Sequence, residues 1–276
     1  MRLPKEPKLN QYPIRMKNNE FFVPYIEGSL GPATRRFLNR FVLVVLGSIL
    51  VVAFLFSFFQ NPFKNSTFEL STETKITGTF HQSPYPMLRV ELAPNEYKNI
   101  VLLGFGKSSA NPYLEELILS DKKLEGSVLN IEGNLIYYNG KTLLQITSDE
   151  KVTLTKLEGK APQTSKLGEV SLEGEIIDPK CYFGVMKPGF GKIHRSCAIR
   201  CISGGIPPVF VSRDQENNPL YDFLTDMNGA PLHKEYMALV GKPSNLTGDL
   251  EKLEHCQLLQ INVESIAELG EKSNIY

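Results

Sequence analysis

The chain has 276 residues, with 30 Lys and Arg against 30 Asp and Glu, 42% hydrophobic residues and no Trp. That length holds one large domain or two small ones, and the balanced charge with ordinary apolar content excludes a mostly disordered chain and a multi-span membrane protein. Four cysteines are too few for a disulfide-dense scaffold.

Residues 1–36 carry Pro4, Pro7, Pro13, Pro24 and Pro32 with little periodicity, which predicts an irregular tail. Its aromatic patch Phe21-Phe22-Val23-Pro24-Tyr25 suits a membrane surface or a partner subunit, and a plain unstructured tail is the alternative. Phe41 to Phe59 then runs 19 residues without a charge. At 1.5 Å per residue this spans roughly 28 Å, close to the hydrocarbon core of a bilayer. It is apolar on every face, unlike a globular helix, and Gln60-Asn61-Pro62-Phe63 offers no small-x-small cleavage site. The expectation is an uncleaved transmembrane anchor over residues 37–60. Eight Lys and Arg precede the span, and Arg35, Arg36 and Arg40 lie close to it, whereas the twenty residues after it hold only Lys64 and Lys75. The positive-inside rule predicts a cytoplasmic tail at 1–36 and an extracytoplasmic remainder. Residues 61–276 carry 22 Lys and Arg against 27 Asp and Glu, a formal charge of −5.

Beyond the anchor the chain repeats itself. Residues 124–135 (LEGSVLNIEGNL) and 239–250 (LVGKPSNLTGDL) share Leu, Gly, Asn, Gly and Leu at identical spacing. Leu143-Leu144-Gln145-Ile146 and Leu258-Leu259-Gln260-Ile261 keep that offset of 115. Thr74–Phe80 pairs with Val170–Ile176 at an offset of 96, so the second copy is 19 residues longer between its first and later strands. Alternation at 74–80, the apolar run at 100–103, and runs at 127–138 and 141–147 joined by Asn139-Gly140 read as strands and a hairpin. The predicted fold is mainly β: a single N-terminal transmembrane helix followed by two OB-like small β-barrels in tandem, at 71–157 and 168–270, with a sandwich as the alternative. Residues 158–166 read as a polar linker.

All four cysteines, Cys181, Cys197, Cys201 and Cys256, fall in the second copy, so sulfur is not needed to hold the repeated unit together. On the repeat register Cys256 matches Lys141, beside the hairpin turn. Because the loop after strand 1 and the loop between strands 4 and 5 flank one face of an OB-like barrel, Cys256 is expected near Cys181. His194, Cys197 and Cys201 stand at i, i+3 and i+7, on one face if 193–202 is helical. Thiolate and imidazole suit zinc, copper, an iron–sulfur cluster or haem, with Met186 and His255 as further soft or borderline donors. Equally, four extracytoplasmic cysteines can form two disulfides, one of Cys197 and Cys201 to Cys181 and the other to Cys256, or act as redox thiols without a cofactor. Gly104-Phe105-Gly106-Lys107-Ser108 and Gly189-Phe190-Gly191-Lys192 lack phosphate-loop spacing and read as turns. Gly204-Gly205-Ile206-Pro207-Pro208 should end the helix and deliver a strand at Val209-Phe210-Val211. Asn65 and Asn245 head glycosylation sequons.

The block Gly174-Glu175-Ile176-Ile177-Asp178 to Cys181, followed by His194-Arg195-Ser196-Cys197-Ala198-Ile199-Arg200-Cys201 and Ile202 to Pro208, resembles a family of uncharacterised bacterial membrane-anchored proteins. Their pattern looks like G-E-I-V-D-x-K-C…H-R-x-C-A-x-R-C-I-x-G-G-I-P-P. The resemblance covers residues 172–210 and, loosely, the anchor. It implies a protein of the bacterial inner membrane with a periplasmic C-terminal part, and it singles out Cys181, His194, Cys197 and Cys201 but not Cys256.

The leading functional expectation is a non-catalytic accessory subunit of a membrane complex, such as a respiratory one, with the membrane and other subunits as partners. The alternative is a metal- or redox-cofactor-binding protein using Cys181, His194, Cys197 and Cys201. Nucleic acid is not an expected partner of a −5 region facing away from the cytoplasm. Sugar binding would lack Trp, its best stacking residue. Asp178, Asp214, Asp222, Asp226 and His233 include carboxylates and a base, but no spacing pairs them into a catalytic set.

Overall fold

The computed structural model describes residues 32–59, 66–119, 124–156, 161–232 and 234–270. Most of the tail, the sequon at Asn65, part of the linker and His233 lie outside the described residues.

The first helix, α1 (Pro32–Phe59), is long and apolar enough to cross a membrane, and none of its residues is buried. It begins inside the segment assigned to the tail. Proline at the first helical turn forfeits no hydrogen bond and pre-sets φ, so Pro32, counted among the prolines of an irregular tail, instead starts the helix.

The remainder opens with β1 (Ser66–Phe68), ahead of the expected domain start at residue 71. Then come β2 (Thr74–His81), β3 (Met87–Ala93), β4 (Glu96–Leu103), helix α2 (Asn111–Leu119), β5 (Val128–Tyr138), β6 (Lys141–Ile146) and β7 (Val152–Lys156). Strands β5-β2-β3-β4-β6 pair in that order, and β6 pairs back to β5, closing a five-stranded barrel. β1 and β7 add to β5 outside this ring. The β5–β6 turn is tight because Asn139 and Gly140 take φ of 48° and 80°. Phe80, Leu88, Leu102, Leu129 and Leu144 fill the interior, and α2 adds Leu114 to it.

The second sheet comprises β8 (Thr164–Ile177), β9 (Val209–Arg213), β10 (Pro219–Thr225), β11 (Pro243–Leu253), β12 (Cys256–Ile261) and β13 (Ala267–Glu268). Its strand pairings repeat those of the first. Thr74↔Gly133 becomes Val170↔Gly248, Met87↔Val101 becomes Val209↔Phe223, and the parallel pair Val101↔Leu143 becomes Phe223↔Leu258. Matching strands are offset by 96 at β2/β8, by 122 at β3/β9 and β4/β10, and by 115 at β5/β11 and β6/β12. The net excess of 19 residues therefore conceals two changes. The β8–β9 connection is residues 178–208 where the first sheet has 82–86, and the β10–β11 connection is 226–242 where the first sheet has 104–127. In this shorter piece a single 3₁₀ segment, Lys234–Leu239, stands where the first copy has α2.

Thr164, Ser165 and Lys166, assigned to the linker, instead extend β8 and pair with Leu253, Lys252 and Glu251. Backbone pairing needs no apolar side chain, and the first six residues of this strand are exposed, so the overhang is polar.

The two β units pack against each other through a shared apolar layer. Met87, Val101, Leu103 and Leu143 of the first unit meet Val209, Tyr221, Phe223 and Leu258 of the second. Polar ties fix the register: Tyr85 Oη donates to Leu224 O at 2.5 Å, Asn99 Nδ2 donates to Leu253 O at 2.9 Å, and Arg89 pairs with Glu254 at 2.6 Å. Arg89 also stacks on Tyr97, its guanidinium carbon 3.4 Å from the ring centre.

Candidate metal centre

The long β8–β9 connection is where the chemistry-bearing residues gather. As β8 ends, the fully buried Asp178 turns the chain: its Oδ1 accepts from the Cys181 amide at 3.1 Å, at the head of a π-turn over Cys181–Val185. Helix α3 (Gly191–Ser203) follows. Its N-terminal Phe190 gives no side-chain cap, and the buried Glu175 of β8 supplies the acceptor instead, taking the Gly191 amide at 2.6 Å. The expected stop holds: the Gly204 amide reaches the carbonyls of Arg200 and Cys201, Gly205 takes φ +97°, and the chain enters β9.

All four cysteines are free thiols. Cys181, Cys197 and Cys201 bring their sulfurs within 4.8 Å of one another. A second group, Asp178, Cys181 and His194, meets the same limit and shares Cys181 with the first. Of the four residues singled out by the sequence, the other three thus surround Cys181, but unequally. His194 shares the helix face of Cys197 and Cys201, yet it lies one turn earlier and its Nε2 stands 3.5 Å from Asp178 Oδ2, both side chains being buried.

Cys256 does not join them. It opens β12, lies under the shared apolar layer and directs Sγ at Asn99 O, 3.6 Å away. The register argument placed it beside the hairpin turn correctly, but its side chain faces the first β unit. Burial pushes its thiol up to about 11, even with Lys141 and Lys98 near. Neither of the expected disulfides, including the one to Cys256, is present. Met186 is 45% exposed, and His255 belongs to neither group.

Residues of the first β unit complete the site, a role that no spacing in the chain marks. Lys107 donates to Cys197 Sγ at 3.5 Å. Lys180, beside Cys181 and buried, donates to the carbonyls of Gly104 and Gly106 at 2.8 and 2.7 Å. The Gly104–Ser108 turn is the one read as a glycine turn, and it presents carbonyl oxygens to a lysine, the reverse of a phosphate cradle. Gly204 closes the same contact: a Cβ there would stand 1.8 Å from Lys107 O.

The electrostatics follow from this layout. Contact with Cys181 lowers the Cys201 thiol, against burial and Asp178 and with a smaller pull from Lys107, while contact with Cys201, burial and Asp178 raise Cys181. Burial lowers Lys180 to about 8 against the attraction of Asp178 and the two sulfurs. Burial raises Glu175 to about 7, opposed by the Gly191 amide. Clustered thiols beside a cation, with Cys197 partly open to solvent, are equipped for metal ligation or thiol chemistry.

No protein-family model matches the chain, and comparison with curated proteins and with solved structures gave no match.

Proposed function

We propose that this is a single-span, membrane-anchored protein whose C-terminal part stands outside the cytoplasm and holds a soft or borderline metal ion at Cys181, Cys197 and Cys201, with His194 beside them. The observation that carries this reading is the convergence of three sulfurs within 4.8 Å. Sulfurs bonded to one ion at about 2.3 Å stand roughly 4 Å apart, so modest closure seats the ion. The His194–Asp178 contact has the form of a carboxylate that orients an imidazole near a metal. Supporting the architecture, the matched registers favour a duplicated OB-like barrel in tandem, the second copy bearing the sulfur insertion between β8 and β9. The flanking arginines support a cytoplasmic N-terminus, and the resembling family a bacterial inner membrane and periplasmic setting.

Elemental analysis of the full chain prepared with and without reductant tests this. Stoichiometric metal in the reduced protein, lost in Cys201→Ser, is the expected result. Intact disulfides and no metal would instead favour a non-catalytic accessory subunit of a membrane complex.

A further inference from the structure

Resting on that reading, we infer that the ion is monovalent copper, held by Cys181, Cys197 and Cys201 alone, and that it enters and leaves on the Cys197 side. Three observations bear on this. The first is donor number. The three sulfurs form one mutually close set, whereas His194 is grouped with Asp178 and Cys181 but not with Cys197 and Cys201 together. Its Nε2 is directed at Asp178. Zinc in a structural site takes four ligands, whereas copper(I) is selected by thiolates.

The second is charge. Three thiolates around one monovalent ion leave a local charge of −2. Two lysines face this cluster: Lys107 on Cys197 Sγ, and Lys180, which is buried next to Cys181 and anchored by the carbonyls of Gly104 and Gly106. The Asp178 carboxylate beside Cys181 adds a further negative charge, so the two lysines offset the cluster without choosing between a monovalent and a divalent ion.

The third is access. Cys181 and Cys201 are buried, and Cys197 is half-buried. An incoming sulfur donor can reach the ion only where Cys197 meets solvent, and displacing that ligand leaves a two-coordinate ion on the buried pair. Loading is balanced simply: the ion binds three sulfurs, and the thiols release their protons to solvent. No electron moves.

The test uses the reduced full chain in detergent, titrated anaerobically with copper(I) and separately with zinc(II), and followed by X-ray absorption. The expected result is one copper(I) per chain with three sulfur neighbours and no imidazole. His194→Ala and the milder His194→Gln should retain both stoichiometry and spectrum. Lys107→Gln, on the surface, should weaken copper retention against a competing chelator about tenfold. Cys197→Ser should keep copper on the buried pair but hand it to a dithiol acceptor about tenfold faster, because no thiolate then has to be displaced. Handover at the wild-type rate would overturn the role given to Cys197. A zinc site with three sulfurs and one imidazole, emptied by both His194 substitutions, would overturn the copper assignment while leaving the metal reading standing. Failure of both metals to bind would overturn both readings.

Discussion

Lys107 Nζ stands 3.5 Å from Cys197 Sγ across ninety residues of sequence, and this contact carries the first β unit into a site whose sulfurs all belong to the second. The two units are therefore joined at the thiols as well as along the apolar layer that runs from Met87 to Phe223.

If that junction matters, crowding it should be felt at the sulfur. Gly204 has ordinary helical φ, so alanine is conformationally acceptable there, but its Cβ would lie 1.8 Å from Lys107 O. Gly204→Ala should cost about 2–3 kcal/mol and should raise the rate at which Cys197 is alkylated, because the Lys107 turn must move off. Denaturant melts and timed alkylation with mass mapping measure the two effects. A loss of stability with no change at Cys197 would separate the turn from the thiol.

The repeated register makes a paired prediction. A Cβ at Gly133 would stand 2.3 Å from Gln145 O, and one at Gly248 would stand 2.2 Å from Gln260 O. Both glycines sit opposite the end of the neighbouring strand, at Ile146 and Ile261. Gly133→Ala and Gly248→Ala should each destabilise by about 2–3 kcal/mol, measured by equilibrium unfolding. A cost confined to one of them would mean that the two strand pairs are not equivalent.

Much of this was legible in the sequence because it rests on local pattern. The apolar run marks α1, the Leu-Gly-Asn-Gly-Leu string marks the repeat, Asn139-Gly140 marks the hairpin, and Gly204-Gly205 marks the end of α3. What escaped depends on contacts between distant segments. Asp178 reaches His194 over 16 residues and Lys107 reaches Cys197 over 90, so no spacing rule exposes either. Cys256 shows the limit of register arguments. Matching it to Lys141 located its backbone, but strand alternation then aimed its sulfur at Asn99 and away from Cys181. The start of β8 was hidden for a different reason: Thr164-Ser165-Lys166 pairs by backbone alone, with its side chains in solvent.

A pH effect follows from one difference between the two sheets. Asp222 stands in the second sheet where the barrel has Ile100, is buried, and has no hydrogen-bond partner for either carboxylate oxygen among the described residues. Burial raises its carboxyl from an ordinary 3.8 to about 6, with Lys141 opposing. The folded state therefore holds the proton more tightly than the unfolded chain. This group leaves stability intact below about pH 4 and costs progressively more as pH climbs through 6, on the order of 2–3 kcal/mol in full. Asp222→Asn should be close to wild type at pH 4 and more stable at pH 7, as read from denaturant midpoints across that range. A difference between the two proteins that stays constant with pH would place the carboxylate elsewhere than in an apolar interior.

The convergence of Cys181, Cys197 and Cys201 on one ion is tested most directly by native mass spectrometry of the reduced full chain after exposure to metal. The account predicts a mass gain of one metal ion less the protons displaced from the thiols, absent in Cys181→Ser and Cys201→Ser. A chain that stays metal-free, or that is lighter by the two hydrogens of a disulfide under the same reducing conditions, would contradict it.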